Sequence, residues 1–180
     1  MMDIGVLIAI VSIVVAVGSA VFAWQAAKIA DKTFKAELIA TIYEKYHSPE
    51  VRQDHRKVWA IYSQIWMEYC DDKQEANMHT SRGEPITADM ALAFLKKMEK
   101  KPKEYIAVDN MFGLWTYIML LVFQKSLKID HLSAFATPRI LGFLYPIDEA
   151  KASLYGYNTH TKLSLKKLYE FWKKKYPESF

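Results

Sequence analysis

Between Ile4 and Trp24 the chain carries no charged residue: IGVLIAIVSIVVAVGSAVFAW. At 1.5 Å rise per residue, a helix of this run is about 30 Å long, the thickness of a bilayer's hydrocarbon core. A lone apolar segment in lipid must satisfy its own backbone hydrogen bonds, so the run predicts a transmembrane helix. Asp3 precedes it, and Lys28, Asp31, Lys32 and Lys35 follow. The run is longer than an ordinary signal-peptide core and no Lys or Arg stands before it. A retained anchor is therefore expected rather than a cleaved leader.

The flanks set the orientation. All 24 Lys and Arg lie after residue 27, and Lys28, Lys32, Lys35 and Lys45 follow the run closely. The positive-inside rule predicts a single-pass protein of the cell membrane, with the N-terminus outside and the large C-terminal domain cytoplasmic. Cys70 is the only cysteine. No internal disulfide can form, as suits a reducing compartment. Gly5, Ala9, Ser12, Ala16, Ser19 and Ala20 recur at spacings of three and four. Small residues let helices approach closely in lipid, where packing drives association. This face is the expected helix–helix contact within the membrane.

The remainder reads as one helical domain. After residue 27 there are 24 basic and 19 acidic residues, a mild excess. Five Trp, eleven Tyr and nine Phe argue for a packed core. Ile29, Phe34, Leu38, Ile42 and Tyr46 continue the helix as a stalk up to Ser48-Pro49, a cap followed by proline at the first helical position. The second helix carries Val51, His55, Val58, Trp59, Tyr62, Ile65, Trp66 and Tyr69 on one face, with Arg52, Gln53, Arg56 and Lys57 turned away. Residues 71–86 read as a polar surface loop. Thr87 caps a short helix that Pro102 ends. Residues 104–125 are strongly apolar, but their uncharged core is too short for a span, so a central core helix is expected. Asp130 and Thr137-Pro138 are cap signals, and Gly156, Tyr157 and Asn158 form a turn. A last amphipathic helix covers about 160–176. No strand pattern stands out. The expected fold is all-α: an anchor over 1–27, a helical stalk over 28–47, and a cytoplasmic helical bundle over 48–180.

Two stretches carry a resemblance. YEKYHSPEVRQDHRKVWAIY follows the anchor and stalk, and LKIDHLSAFATPRILGFLYP follows the core helix. Together they resemble an uncharacterised family of prokaryotic single-pass membrane proteins with a small helical cytoplasmic domain. The resemblance spans about residues 20–155. It implies architecture alone and carries over no catalytic residue.

No motif names a reaction. With Gly only at 5, 18, 83, 113, 142 and 156, neither a phosphate-binding loop nor a dinucleotide fingerprint exists. No serine sits in a nucleophile elbow. Glu44 and His47 form one Glu-x-x-His pair, whereas a carboxylate-bridged di-iron bundle needs two pairs and two further Glu. Cys70, with no Cys or His close in sequence, reads as a small buried residue, and His131 as a first-turn residue. Neither a metal nor a cofactor is expected. Lysines form two clusters. Lys96, Lys97, Lys100 and Lys101 flank Pro102, while Lys162, Lys166 and Lys173 accompany Trp172 on the last helix. Such clusters suit a solvated face, anionic lipid headgroups or an acidic partner protein. The small net charge and lack of a readout motif argue against nucleic acid. The expected function is a non-catalytic accessory or regulatory subunit of a larger membrane complex. The alternative is a self-associating membrane-anchored sensor or effector, and behind both stands a metal-dependent membrane enzyme.

Overall fold

The computed structural model describes residues 4–155 and 164–180, with backbone only at 4–11, 13, 14 and 104. The described residues are helical and contain no strand. Eight α-helices follow in order: α1 (Ile4–Tyr46), α2 (Pro49–Tyr69), α3 (Lys73–Ser81), α4 (Ala88–Lys100), α5 (Ile106–Phe123), α6 (Ile129–Ser133), α7 (Leu141–Tyr155) and α8 (Leu165–Lys175). The chain divides into two units, Met1–Thr41 and Ile42–Phe180.

In the first unit large apolar side chains of α1 stand exposed. Phe22 is 75% and Trp24 63% exposed, and Val15, Val17 and Val21 are exposed as well. In the second unit the last turn of α1 buries Ile42 and Tyr46.

Caps set the helix starts. The Ser48 hydroxyl accepts from Val51 N at 3.3 Å, with Pro49 at the first position of α2. Thr87 accepts from Met90 N, and Ser164 from Lys167 N, each at 3.3 Å. Each bond satisfies one of the backbone donors that a helix leaves unpaired at its start.

Helix α2 packs on α3 and α5, α4 on α7, and α8 on α7 and α5. Trp115 of α5 and Trp172 of α8 are fully buried and meet edge to face at 5.9 Å. Tyr62, Phe143 and Leu144 extend this core. Among the described residues, α5 is the one helix long and apolar enough to cross a membrane by length and composition. Eight of its side chains, including Met111, Leu114, Trp115 and Ile118, are buried in the bundle. That placement is the one expected of a core helix.

A close approach joins the 82–86 loop to α7. Gly142 has no room for a side chain: a Cβ there would stand 2.2 Å from Gly83 O. Ile86 N donates to Gly142 O at 3.1 Å, and the Tyr62 hydroxyl to Glu84 O. Gly83 takes a positive φ of 61°, the left-handed region that glycine enters without penalty.

Several local expectations need correction. Residues 73–81 are helix rather than loop, because Asp72 caps them through Gln74 N at 2.9 Å and the stretch buries Ala76 and Thr80. Asp130 caps nothing. Its carboxylate takes the Lys175 ammonium and the Tyr176 hydroxyl, and their bonds hold its pKa below the usual carboxylate range. Thr137 makes no side-chain cap, and a 3-10 turn at Pro138–Ile140 precedes α7. The 156–158 turn and the start expected for the last helix lie outside the described residues.

Candidate anion-binding site

The residue pattern at the start of α2 builds one wall of a cleft. Arg52 and Arg56 lie one turn apart, as do His55 and Trp59, and α-helical geometry puts such pairs on one flank. The end of α1 supplies Tyr46, the turn after it His47, and the segment after α6 supplies Phe135, Thr137 and Arg139. Two adjoining recesses result, of about 440 and 260 Å³, which share His55, Arg56 and Thr137. Three of the chain's four arginines line them.

Aromatic contacts hold the walls. Tyr46 meets Trp115 edge to face at 6.3 Å and Phe135 at 5.9 Å. Tyr43 approaches His47 at 4.5 Å and Phe135 at 5.3 Å. The Tyr46 hydroxyl accepts from Thr137 N at 2.8 Å, tying residue 46 to a partner 91 positions later. Burial of this phenol raises its pKa, with the Thr137 bond opposing the rise.

The polar groups are nearly all donors. The Arg52 guanidinium donates to His47 Nδ1 at 3.1 Å, which leaves that ring's proton on Nε2. Arg56 Nε reaches Arg52 O at 3.4 Å, and Arg139 Nε donates to Ser179 O at 2.8 Å. No carboxylate pairs with any of these three guanidiniums among the described residues. His55 stacks on Trp59 at 6.0 Å with planes 10° apart. Its Nε2 is buried and has no hydrogen-bond partner. Burial lowers the His55 pKa, which favours the neutral ring at neutral pH. The positive end of the α2 dipole adds to the same field. This arrangement suits a carboxylate or phosphate, which accepts bidentate bonds from arginine. It offers no carboxylate base and no thiol to a bound group.

Some of the lysines expected to meet lipid or an acidic partner have partners within the chain. Lys97 pairs with Glu68 at 2.7 Å and Lys166 with Glu149 at 3.1 Å. Lys173 donates to the Tyr169 hydroxyl at 3.3 Å. Lys96 and Lys100 are exposed on α4, Lys101 follows it, and Lys162 lies outside the described residues. Trp172 must be corrected: it is 0% exposed and forms core with Trp115, because it occupies the face of α8 opposite the lysines. On α1, Ser12, Ala16, Ser19 and Ala20 are exposed, while the side-chain positions of Gly5 and Ala9 lie outside the described residues. Glu44 and His47 gather no third ligand among the described residues, and His47 faces rings and Arg52 instead.

The helical wheel of α2 taken alone did not reveal the cleft. His55 and Trp59 were legible as one face, but Arg52 and Arg56 read as solvent-facing. The arginine pair one turn apart beside an aromatic and a histidine was the available signal.

No protein-family model, no curated protein and no solved structure matches the chain.

Proposed function

We propose that this chain is a membrane-anchored, non-catalytic accessory or regulatory protein whose helical unit binds an acidic segment of a partner subunit. Residues 4–24 serve as the anchor, with the N-terminus outside and the unit Ile42–Phe180 in the cytoplasm. The exposed Phe22 and Trp24 support this, since an uncharged helix with bare apolar sides is stable in lipid or against another membrane helix. The lysines that follow support the orientation.

One observation carries the functional part: three arginines that pair with no carboxylate among the described residues line two adjoining recesses with His55, whose Nε2 is buried without a hydrogen-bond partner. Arginine and aromatic side chains also dominate the energetics of protein interfaces. Trp59, Tyr46 and Phe135 beside Arg52, Arg56 and Arg139 make such a set.

The test is affinity purification of the full chain from its native membrane in mild detergent, followed by mass spectrometry of co-purifying chains. A stoichiometric membrane partner is expected with the wild type, and its recovery should collapse with Arg52→Glu/Arg56→Glu. Recovery of this chain alone, as a defined homo-oligomer, would replace the accessory reading by the self-associating sensor. A partner retained equally by the charge-reversed variant would remove the cleft from the interface.

A further inference from the structure

A second group of side chains stands apart from the cleft, where α2 hands over to α3. Cys70, Glu75 and His79 each present one ligand atom, and these atoms all lie within 4.8 Å of one another. Cys70 is the C-cap of α2, with its N–H bonded to Trp66 O at 2.9 Å. Asp72 caps α3 immediately afterwards. Glu75 and His79 are then one helical turn apart, with the Glu75 carboxylate 3.7 Å from His79 Nε2. The backbone on both sides of the group is therefore fixed.

The imidazole is also oriented. Its other nitrogen, Nδ1, contacts the Glu84 carboxylate at 2.5 Å. The Trp66 indole stacks on the ring at 4.3 Å with planes 14° apart. A carboxylate on the far nitrogen is the usual companion of a metal-bound histidine, since it fixes the tautomer and raises basicity. Asp71 and Asp72 add negative potential at Cys70. Arg82 approaches Glu84 no closer than 3.9 Å.

We propose that Cys70, Glu75 and His79 form a zinc site, with Glu84 as the positioning residue for His79. Thiolate, imidazole and carboxylate are the three ligand types zinc accepts, at about 2.0–2.3 Å each. Tetrahedral bonds of that length bring ligand atoms to about 3.3–3.7 Å apart. Closing from within 4.8 Å thus takes side-chain adjustments on the order of 1 Å, without moving either helix. Cys70 and His79 are half-buried and Glu75 is exposed, so water has access to the fourth position. The bound ion clips the end of α2 to α3, and binding stabilises the native state by mass action. This inference is independent of the anion cleft.

The experiment uses tag-free, reduced full-length protein in detergent, titrated with Co²⁺ as a spectroscopic stand-in and then with Zn²⁺ as competitor. One equivalent of Co²⁺ should give a thiolate-to-metal charge-transfer band that Zn²⁺ abolishes. Cys70→Ser should lose the band, and His79→Gln should weaken binding at least tenfold. Glu84→Gln, which removes no ligand, should weaken binding roughly 10–100-fold. Far-UV circular dichroism of each metal-free variant checks that it folds. Absence of the band in the wild type, or its persistence in Cys70→Ser, would overturn the site. Unchanged affinity in both His79→Gln and Glu84→Gln would overturn it equally.

Discussion

His55→Phe separates ligand recognition from stability. His55 Nε2 is buried without a partner, and leaving a buried polar atom unsatisfied costs about 1–3 kcal/mol. Phenylalanine keeps a flat ring against Trp59 and Tyr46, which lie 6.0 and 6.4 Å from the imidazole. Its extra volume borders the open recesses, so little of the gain is lost to crowding. A net stabilisation of about 1–2 kcal/mol follows. The unit Ile42–Phe180 gains roughly 0.3 kcal/mol/K of entropy on unfolding, at about 2.1 cal/mol/K per residue. The melting temperature should therefore rise by about 3–7 °C near pH 7.5. The pH dependence supplies a second readout. Burial lowers the His55 pKa, so the folded state keeps the ring neutral where the unfolded chain takes up a proton. Stability from this residue is complete above about pH 6.5 and is lost as pH falls towards the lower folded pKa. Phenylalanine has no such loss, so its advantage widens between pH 7.5 and 5. Near-UV circular dichroism melts of the full chain in detergent measure both effects, and the partner purification reports the expected loss of binding. A variant no more stable than wild type at pH 7.5, with a margin that stays flat to pH 5, refutes the reasoning.

Four further substitutions test the packing. Gly142→Ala must displace Gly83 O, which a Cβ would approach to 2.2 Å, and should destabilise by about 2–4 kcal/mol in urea titrations. Gly113→Ala on the exposed side of α5 meets nothing within 4 Å and should stabilise by about 0.5–1 kcal/mol, the helix-propensity gain; opposite signs for the two glycines are the check. Tyr46→Phe removes the acceptor for Thr137 N and should cost about 1–3 kcal/mol in the same assay. Trp172→Ala empties the contact with Trp115 and should cost about 3–5 kcal/mol, with a loss of near-UV ellipticity; a fully folded variant with unchanged midpoint would place Trp172 outside the core.

Two caps were legible in the sequence, while Asp130 and Thr137 only looked like caps. Ser48 and Thr87 each bond a backbone donor at the start of their helices, as expected, and Ser164, which the sequence reading passed over, does the same for α8. The 71–86 stretch failed because α3 buries only Ala76 and Thr80, too little for an apolar stripe, so Asp72 was the sole clue. Reading Asp72 as a cap would have set Glu75 and His79 one turn apart beside Cys70. Trp172 was misread for the opposite reason. Its lysine neighbours in sequence lie on the other side of α8, and adjacency in sequence says nothing of a shared face. The cleft was hidden because a helical wheel separates apolar from polar flanks within one helix. Residues 135–139 return to the polar flank of α2 from some eighty positions away, and only the fold brings them there.

The charge distribution explains why that flank matters. Elsewhere several lysines find carboxylates: Lys97 with Glu68, Lys151 with Asp109, Lys166 with Glu149, and Lys175 with Asp130. Exposed pairs of this kind contribute about 0–1 kcal/mol, yet they neutralise the surface locally. Among the described residues Arg52, Arg56 and Arg139 have no such neutralising partner, so the cleft carries a local positive charge. A concave surface of one sign focuses its field and steers oppositely charged groups. Guanidinium is also more weakly hydrated than ammonium and gives up its water more readily on contact. The aromatic walls and the guanidinium donors then reward an anion that enters, whereas a lysine patch on an open helix face rewards only proximity. A partner held at this cleft should accordingly bind with an on-rate that falls steeply with ionic strength, since screening at 0.15 M already acts over about 8 Å.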